Sequence, residues 1–189
     1  MMAKHSLVAL VEDKPGVLNR VASLFRRRGF NIESIAVGHS ETEGLSRMTI
    51  VVDGTAPSME QMRKQLDKLI DVVKVSDVTG DELVTRELAL VRVRAASATR
   101  SEIIQIVDIF RSNIVDVAAD SMMIEITGDE DKIDSLLGLL KGFGIMEVSR
   151  TGIIAMPRGV RGPISIEGRP QRKAIRARRL RAVDEISNL

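Results

Sequence analysis

The stretch Glu12-Asp13-Lys14-Pro15-Gly16-Val17-Leu18 follows a continuous apolar run, residues 7–11, and precedes apolar residues at helical spacing. The apolar run predicts a strand buried on both faces, and the Pro-Gly pair predicts a turn from that strand into a helix. The first amide groups of such a helix have no acceptor within it, and with the helix dipole they favour a carboxylate. Thirteen residues after Gly16, the stretch Gly29-Phe30-Asn31-Ile32-Glu33-Ser34 begins. The Asn31 amide both donates and accepts hydrogen bonds. The two stretches, which we expect to lie close together, therefore predict a site for a free amino acid.

The first half of the chain predicts the order β-α-β-β-α-β, which is that of a ferredoxin-like unit. Strands are predicted at 31–37, 46–52 and 71–78, with a polar loop over 38–45. We expect Pro15 to lie in the first turn of the first helix and Gly29 to end that helix. The second helix is predicted from apolar residues at helical spacing, which are Met59, Met62, Leu66, Leu69 and Ile70.

The second half of the chain repeats this order. Asn113 follows Asn31 by 82 residues and lies in a similar local sequence. Strands and helices are predicted at 87–93, 103–110, 113–118, 122–127, 133–140 and 145–156. The chain therefore predicts an α+β fold of two tandem ferredoxin-like units, residues 4–79 and 84–156, followed by a basic extension, residues 157–189.

The second unit has no Pro-Gly pair between its first strand and its first helix. Ser97 or Thr99 is predicted to cap that helix, which would satisfy the first amide groups within the chain. We therefore expect the second unit to serve mainly in assembly or in contact with a partner.

Composition excludes several classes of site. The chain has 189 residues, 44% of them hydrophobic, which is enough for sizeable cores. The absence of cysteine excludes disulfides, thiolate metal sites and cysteine nucleophiles, and two histidines are too few for an imidazole-rich metal site. No nucleophile, base and orienting residue form a recognisable catalytic group. The sequence shows no signal peptide and no apolar run of 18 residues, so it predicts a cytoplasmic protein without a membrane span.

Positive charge is concentrated at the end of the chain. Residues 157–189 carry nine Lys and Arg against three Asp and Glu, whereas residues 1–156 carry 19 against 23. A nucleic-acid partner could use only this extension, and no aromatic residues alternate with its arginines. We therefore expect a solvated or partly helical end, and we expect no nucleic-acid partner.

Two further groups have simple structural explanations. His39 lies in a polar stretch and is predicted to be exposed and without a role. The cluster Asp129-Glu130-Asp131 is predicted to mark the N-terminus of a helix rather than a metal site, because acidic side chains there complement the helix dipole.

Residues 4–156 resemble the regulatory (small) subunit of acetolactate synthase, also called acetohydroxyacid synthase. The resemblance covers most of the chain and rests on a series of motifs rather than on one glycine. The motifs are the two stretches quoted first, Leu45-Ser46-Arg47-Met48-Thr49-Ile50, the segment 65–75, Arg86-Glu87-Leu88-Ala89-Leu90-Val91, Ile109-Phe110-Arg111 and Arg150-Thr151-Gly152.

This resemblance implies an N-terminal ACT domain, a second ACT-like domain and a chain that is not itself an enzyme. It implies a homodimer that binds valine or a related branched-chain amino acid between neighbouring ACT domains. Such a subunit activates the catalytic (large) subunit and makes it sensitive to feedback inhibition. Thiamine diphosphate, FAD and Mg²⁺ belong to that catalytic partner, so no cofactor and no metal are expected in this chain. The effector-binding residues that the resemblance implies are Asp13, Lys14, Pro15, Gly16, Val17, Leu18, Asn31, Ile32, Ile35 and Gly38.

Two other functions are compatible with the residues. One is an ACT-type amino-acid sensor that regulates a different biosynthetic enzyme, which would purify without an acetolactate synthase catalytic chain. The other is a nucleic-acid-binding protein acting through residues 157–189, whose affinity would depend steeply on salt.

Overall fold

The computed structural model describes residues 3–159, which form two units of the same design. The first unit consists of β1 (Ala3–Glu12), α1 (Val17–Arg27), β2 (Ile32–His39), β3 (Leu45–Gly54), α2 (Ala56–Leu66) and β4 (Val72–Asp77). Its four strands form an antiparallel sheet in the order β2-β3-β1-β4, so β2 and β4 are the edge strands. This is the predicted ferredoxin-like arrangement.

The second unit repeats the design and adds one strand. It consists of β5 (Leu83–Arg94), α3 (Arg100–Ile109), β6 (Asn113–Val117), β7 (Ser121–Gly128), α4 (Glu130–Leu140), a short 3-10 helix (Lys141–Phe143), β8 (Ile145–Arg150) and β9 (Ile154–Pro157). Its main sheet has the order β6-β7-β5-β8, and β9 pairs with the first four residues of β5.

Each unit has its own apolar core between its helices and one face of its sheet. Strand β1 alternates as a pleated strand must: Leu7 and Val11 belong to the first core, whereas Val8 and Leu10 are buried on the opposite face. Burial on both faces explains why this strand has the continuous apolar sequence from which it was predicted.

Helix α1 begins and ends at glycines in the left-handed backbone region. Gly16 precedes the helix with φ of 85°, so Pro15 lies in the turn before it, and its predicted place in the first helical turn is wrong. At the other end Gly29 has φ of 72°. The amide of Gly29 donates to the Arg26 carbonyl (3.1 Å) and that of Phe30 to the Phe25 carbonyl (3.0 Å), which is the Schellman arrangement.

Replacing Gly29 by alanine is expected to lower the free energy of unfolding by about 1–2 kcal/mol. A Cβ atom at positive φ meets its own carbonyl oxygen, although nothing else lies within 4 Å of the Cβ position. Chemical denaturation measures the loss. The matched control is Gly138→Ala, because Gly138 lies inside α4 with open space around it and there alanine is expected to stabilise the helix. Equal effects of the two substitutions would contradict the explanation.

The structure corrects two predicted elements. Helix α2 ends at Leu66, so Leu69 and Ile70 lie beyond it; Leu69 still packs against the core, whereas Ile70 is exposed. The predicted last strand, 145–156, is interrupted between β8 and β9, where Gly152 adopts φ of 84°. Of the predicted basic extension, residues 160–189 lie outside the described part of the chain.

Candidate functional site

The turn between β1 and α1 presents amide groups of the helix N-terminus. Gly16 is the residue before the helix, and its carbonyl accepts the first helical hydrogen bond, from the Arg20 amide at 3.0 Å. The amides of Leu18 and Asn19 belong to the first turn, where the helix supplies no acceptor. No side chain within residues 3–159 caps this helix start. These amides, with the helix dipole, form a site suited to a carboxylate.

The remaining predicted loop residues divide into three groups. Asp13 donates its amide to the Gly44 carbonyl (2.9 Å), and Lys14 donates its own to the Glu12 carbonyl (3.1 Å), so these two amides are used within the protein. The Val17 side chain is 3% exposed and belongs to the core. Leu18, by contrast, is 48% exposed next to the turn and offers an apolar surface there.

Charged side chains around the turn are paired with one another. Lys14 Nζ lies 2.8 Å from Glu12 Oε2, and His39 Nδ1 lies 3.2 Å from Asp13 Oδ2. His39 is exposed as predicted, but it contacts the predicted site, and the sequence contains no local signal for this because the two residues are 26 positions apart. The contact places the end of β2 beside the loop.

Asn31 lies at the opposite end of the sheet from this turn. Glu12, the last residue of β1, pairs with Leu45, next to the pair formed by His39 and Ser46. The Gly16 turn is therefore at the end where β2 finishes, whereas Asn31 precedes the start of β2. The eight residues of β2 separate the two positions by roughly 25 Å at the usual rise of a strand. The expectation that the two motifs lie close together is wrong within one chain.

The other predicted residues follow β2 as it runs between these two ends. Ile32 and Ile35 are half-buried and pack against the first core, and Gly38 is exposed near the His39 end. Asn31 itself is exposed. Because β2 is an edge strand, one of its sides has no neighbouring strand within the described chain.

A cationic side chain binds carbonyl groups at the corresponding corner of the second unit. The guanidinium of Arg100 donates to the carbonyls of Ala118 (2.8 Å) and Ala119 (2.7 Å) at this corner. Thr99 precedes α3, but its hydroxyl donates to the Ala96 carbonyl instead of accepting from the helix, so the predicted side-chain cap is wrong. The second unit therefore differs from the first in having a cation at this corner, whereas its helix start, like that of α1, has no side-chain cap.

Neither a metal site nor a membrane span is found in the part of the chain that the structure describes. Residues 3–159 contain no group of three or more His, Asp or Glu side chains placed to hold a metal ion. Asp129 caps α4 by accepting the Lys132 amide at 2.9 Å, which confirms the predicted role of the acidic cluster. No helix in this range has both the length and the apolar character needed to cross a bilayer.

Comparisons with known proteins cover both units. Residues 7–74 match the family model described as AHAS small subunit-like ACT domain, and residues 86–159 match the one described as small subunit of acetolactate synthase. A probable acetolactate synthase small subunit from Methanothermobacter thermautotrophicus is 58% identical over 158 residues, which cover 83% of this chain and 94% of that protein. A probable small subunit from Archaeoglobus fulgidus is 56% identical over 156 residues, which cover 82% and 98%.

A solved structure agrees with these sequence matches. The crystal structure of the acetolactate synthase small subunit from Thermotoga maritima is 46% identical and covers 83% of this chain and 98% of that one, with a TM-score of 0.77. The chain therefore belongs to the family of acetolactate synthase small subunits, the regulatory subunits of that enzyme.

Proposed function

We propose that this chain activates the catalytic subunit of acetolactate synthase and makes it sensitive to feedback inhibition by valine or a related branched-chain amino acid. The amino acid binds between the ACT domains of two copies of the chain. The chain itself carries out no catalysis; thiamine diphosphate, FAD and Mg²⁺ are held by the catalytic subunit, and the assembly works in the cytoplasm. The observation that carries this proposal is the unfilled helix N-terminus at Gly16, together with the position of Asn31 at the other end of the sheet.

A two-fold dimer would bring these two ends together. If β2 pairs antiparallel with β2 of a second copy, the start of one strand lies beside the end of the other. Asn31 of one copy then approaches the end of β2 at His39 in the second copy. In that copy His39 contacts Asp13, so Asn31 also comes near its Gly16 turn. The pairing also joins the two four-stranded sheets into one eight-stranded sheet and covers the free edge of β2 in each copy.

The chemistry of such a shared site suits an aliphatic amino acid. The amides after Gly16 receive the carboxylate, the Asn31 amide bonds to the polar end of the ligand, and Ile32 and Ile35 line the space for the side chain. Burying a valine side chain contributes about 1.5–3 kcal/mol, and the additional methylene of isoleucine contributes about 0.8 kcal/mol. The site is therefore expected to discriminate weakly between these two amino acids.

Reconstitution with an acetolactate synthase catalytic subunit tests the proposal. The rate of acetolactate formation is measured with the catalytic subunit alone, with this chain added, and with both this chain and valine. We expect the chain to raise the rate and valine to lower it again. A rate that this chain does not change, or a raised rate that branched-chain amino acids do not lower, would contradict the corresponding half of the proposal.

Replacing Asn31 by alanine is expected to abolish inhibition by valine while activation of the catalytic subunit persists. The side chain is exposed, so its removal leaves the fold intact, whereas a lost hydrogen bond to a charged ligand costs about 1.5–3 kcal/mol, or roughly 10- to 150-fold in affinity. Titration calorimetry with valine measures this loss.

The matched control is Asn113→Ala in the second unit. Asn113 occupies the equivalent position but donates to Glu125 at 3.2 Å within its own sheet. We expect this variant to bind valine as the unaltered chain does. Unchanged valine binding in the Asn31 variant would remove that residue from the site.

A further inference from the structure

Strand β2 contacts the second unit mainly through residues that lie between those predicted to bind the effector. The Ile153 amide donates to Ser34 Oγ at 2.9 Å, although the two residues belong to different units. The preceding residue, Gly152, lies against the same strand. A Cβ atom on Gly152 would be 2.9 Å from Ser34 Oγ and 3.1 Å from the Ile35 carbonyl oxygen, so only glycine permits this approach.

A lysine forms a further contact between the units, in addition to the packing of Leu83 against Val8 and Val78. Lys4 Nζ lies 2.7 Å from Glu33 Oε1 in β2 and 2.8 Å from Glu130 Oε1 at the start of α4. Hydrogen bonds to these two carboxylates raise the pKa of Lys4 above its ordinary value, because they stabilise the charged ammonium. Glu33 is two residues from Asn31, at the bulge where the pairing of β2 with β3 shifts between Ile32 and Ser34.

Thr151, which precedes Gly152, is hydrogen-bonded to β5, a central strand of the second sheet. The Thr151 amide donates to the Leu88 carbonyl at 3.0 Å, and the Leu88 amide donates to Thr151 Oγ1 at 3.1 Å. This pair of bonds joins the motif that contains Arg150-Thr151-Gly152 to the one that begins at Arg86. A displacement of β2 against Gly152 would therefore reach β5, the strand between β7 and β8.

The contact region contains several charged side chains and is incompletely packed. Beside it lies a cavity of about 260 Å³ whose lining includes Glu33, Glu87, Glu130 and Arg150. Glu87 is 6% exposed, yet its Oε2 has no hydrogen-bond partner among the described residues, and Arg150 Nε lies 3.9 Å away. Directed contacts across a polar gap can rearrange at lower cost than an interlocked apolar core, because few close-packed side chains must move.

We propose that the contact of Ser34 with Gly152 and Ile153, together with the Lys4 bridge from Glu33 to Glu130, transmits effector binding from the ACT domain to the second unit. This inference rests on the proposed function. An amino acid held by Asn31, Ile32 and Ile35 orders the part of β2 that contains the bulge. Glu33 and Ser34 lie between those positions, so their contacts with the second unit respond to the same ordering. Lys4, Ser34 and Gly152 are thus positioning residues for regulation and do not contact the effector.

The first test compares Gly152→Ala with Gly144→Ala in the full chain reconstituted with the catalytic subunit. Both glycines have positive φ, 84° and 95°, but a Cβ on Gly144 meets only Arg94 Cβ, at 3.9 Å. Comparing the two variants therefore separates the effect of displacing β2 from the effect of backbone strain at the substituted glycine. We expect Gly152→Ala to keep valine binding and activation, while the valine concentration for half-maximal inhibition rises at least about fivefold. If the complexes with the two variants had the same valine concentration for half-maximal inhibition, the proposal would be overturned.

A second pair of variants keeps the proposal testable if Gly152→Ala does not fold. Lys4→Met removes the bridge between the units, and Lys64→Met removes an exposed lysine whose bond to Glu60 (2.7 Å) stays within α2. We expect only Lys4→Met to weaken inhibition while calorimetry shows unchanged valine binding. If valine inhibits the complex with Lys4→Met as strongly as the unaltered complex, the proposed transmission between the units is wrong. If the unaltered chain binds no valine, the proposed function itself is contradicted.

Discussion

Mixing a Gly16→Asp chain with an Asn31→Ala chain is expected to restore one valine site of ordinary affinity per dimer, although both sites are weakened or lost in each variant by itself. In the shared-site arrangement each site takes its turn from one copy and its asparagine from the other. A mixed dimer therefore has one site with both defects and one site with neither. Two differently tagged chains, co-expressed and purified through both tags, supply this dimer, and calorimetry measures the number of valine molecules bound.

The Gly16 change is chosen for its local effect. The Cβ of an aspartate at Gly16 meets no atom within 4 Å, so the side chain is accommodated at the cost of the positive φ. Its carboxylate lies where the ligand carboxylate is expected and competes for the same amides. Dimers in which both tagged chains carry Gly16→Asp serve as the control and are expected to bind no valine. If the mixed dimer bound valine no better than the dimers of either single variant, each site would have to be built from the residues of one chain.

Phe25→Ala is expected to destabilise the first unit by about 3–5 kcal/mol while the second unit retains its structure. Phe25 is fully buried in the first core and packs edge-to-face on Phe30, with ring centroids 6.5 Å apart. Removing the ring leaves a cavity that the surrounding aliphatic side chains fill only in part. Hydrogen exchange followed by mass spectrometry is the suitable measurement, because it reports each unit separately.

The separate cores are the reason to expect a localised effect. We expect faster exchange in β1, α1 and β3 and unchanged protection in β5 and β7, since no residue of the first core belongs to the second. Phe110→Ala is the control: Phe110 is only half-buried against the second core, so its loss is expected to be smaller and confined to that unit. Faster exchange across both units in the Phe25 variant would show that they unfold together.

Most of the secondary structure could be predicted because its signals are local. Apolar spacing predicted α1 and Gly29 marked its end, although Pro15 lies before the helix and not in its first turn. The errors have physical reasons. Leu69 and Ile70 continue the helical spacing of α2, but the chain leaves the helix after Leu66, and Leu69 reaches the same core from the following turn. The break at Gly152 is invisible in the spacing because the residues on both sides are strand-like.

The sequence predicted the residues of the candidate site, but the predicted proximity of its two motifs is wrong within one chain. The turn at Gly16 could be inferred from the Pro-Gly pair, since the unpaired amides of a helix start depend on a few neighbouring residues. The pairing of His39 with Asp13 and the approach of Gly152 to Ser34 join residues far apart in the chain. Such contacts follow from strand order and register, which apolar spacing does not specify.

Two successive ferredoxin-like units, a Pro-Gly turn before the first helix and the lack of that pair in the second unit can all be inferred from local sequence. The positions of Gly16 and Asn31 at opposite ends of one sheet, and the contact of β2 with the second unit, emerge only when the chain is folded. The two kinds of feature differ in the range of the interactions that fix them. Helix starts, turns and apolar faces are set by neighbouring residues, whereas the distance between two motifs depends on how the strands are ordered and paired in the sheet.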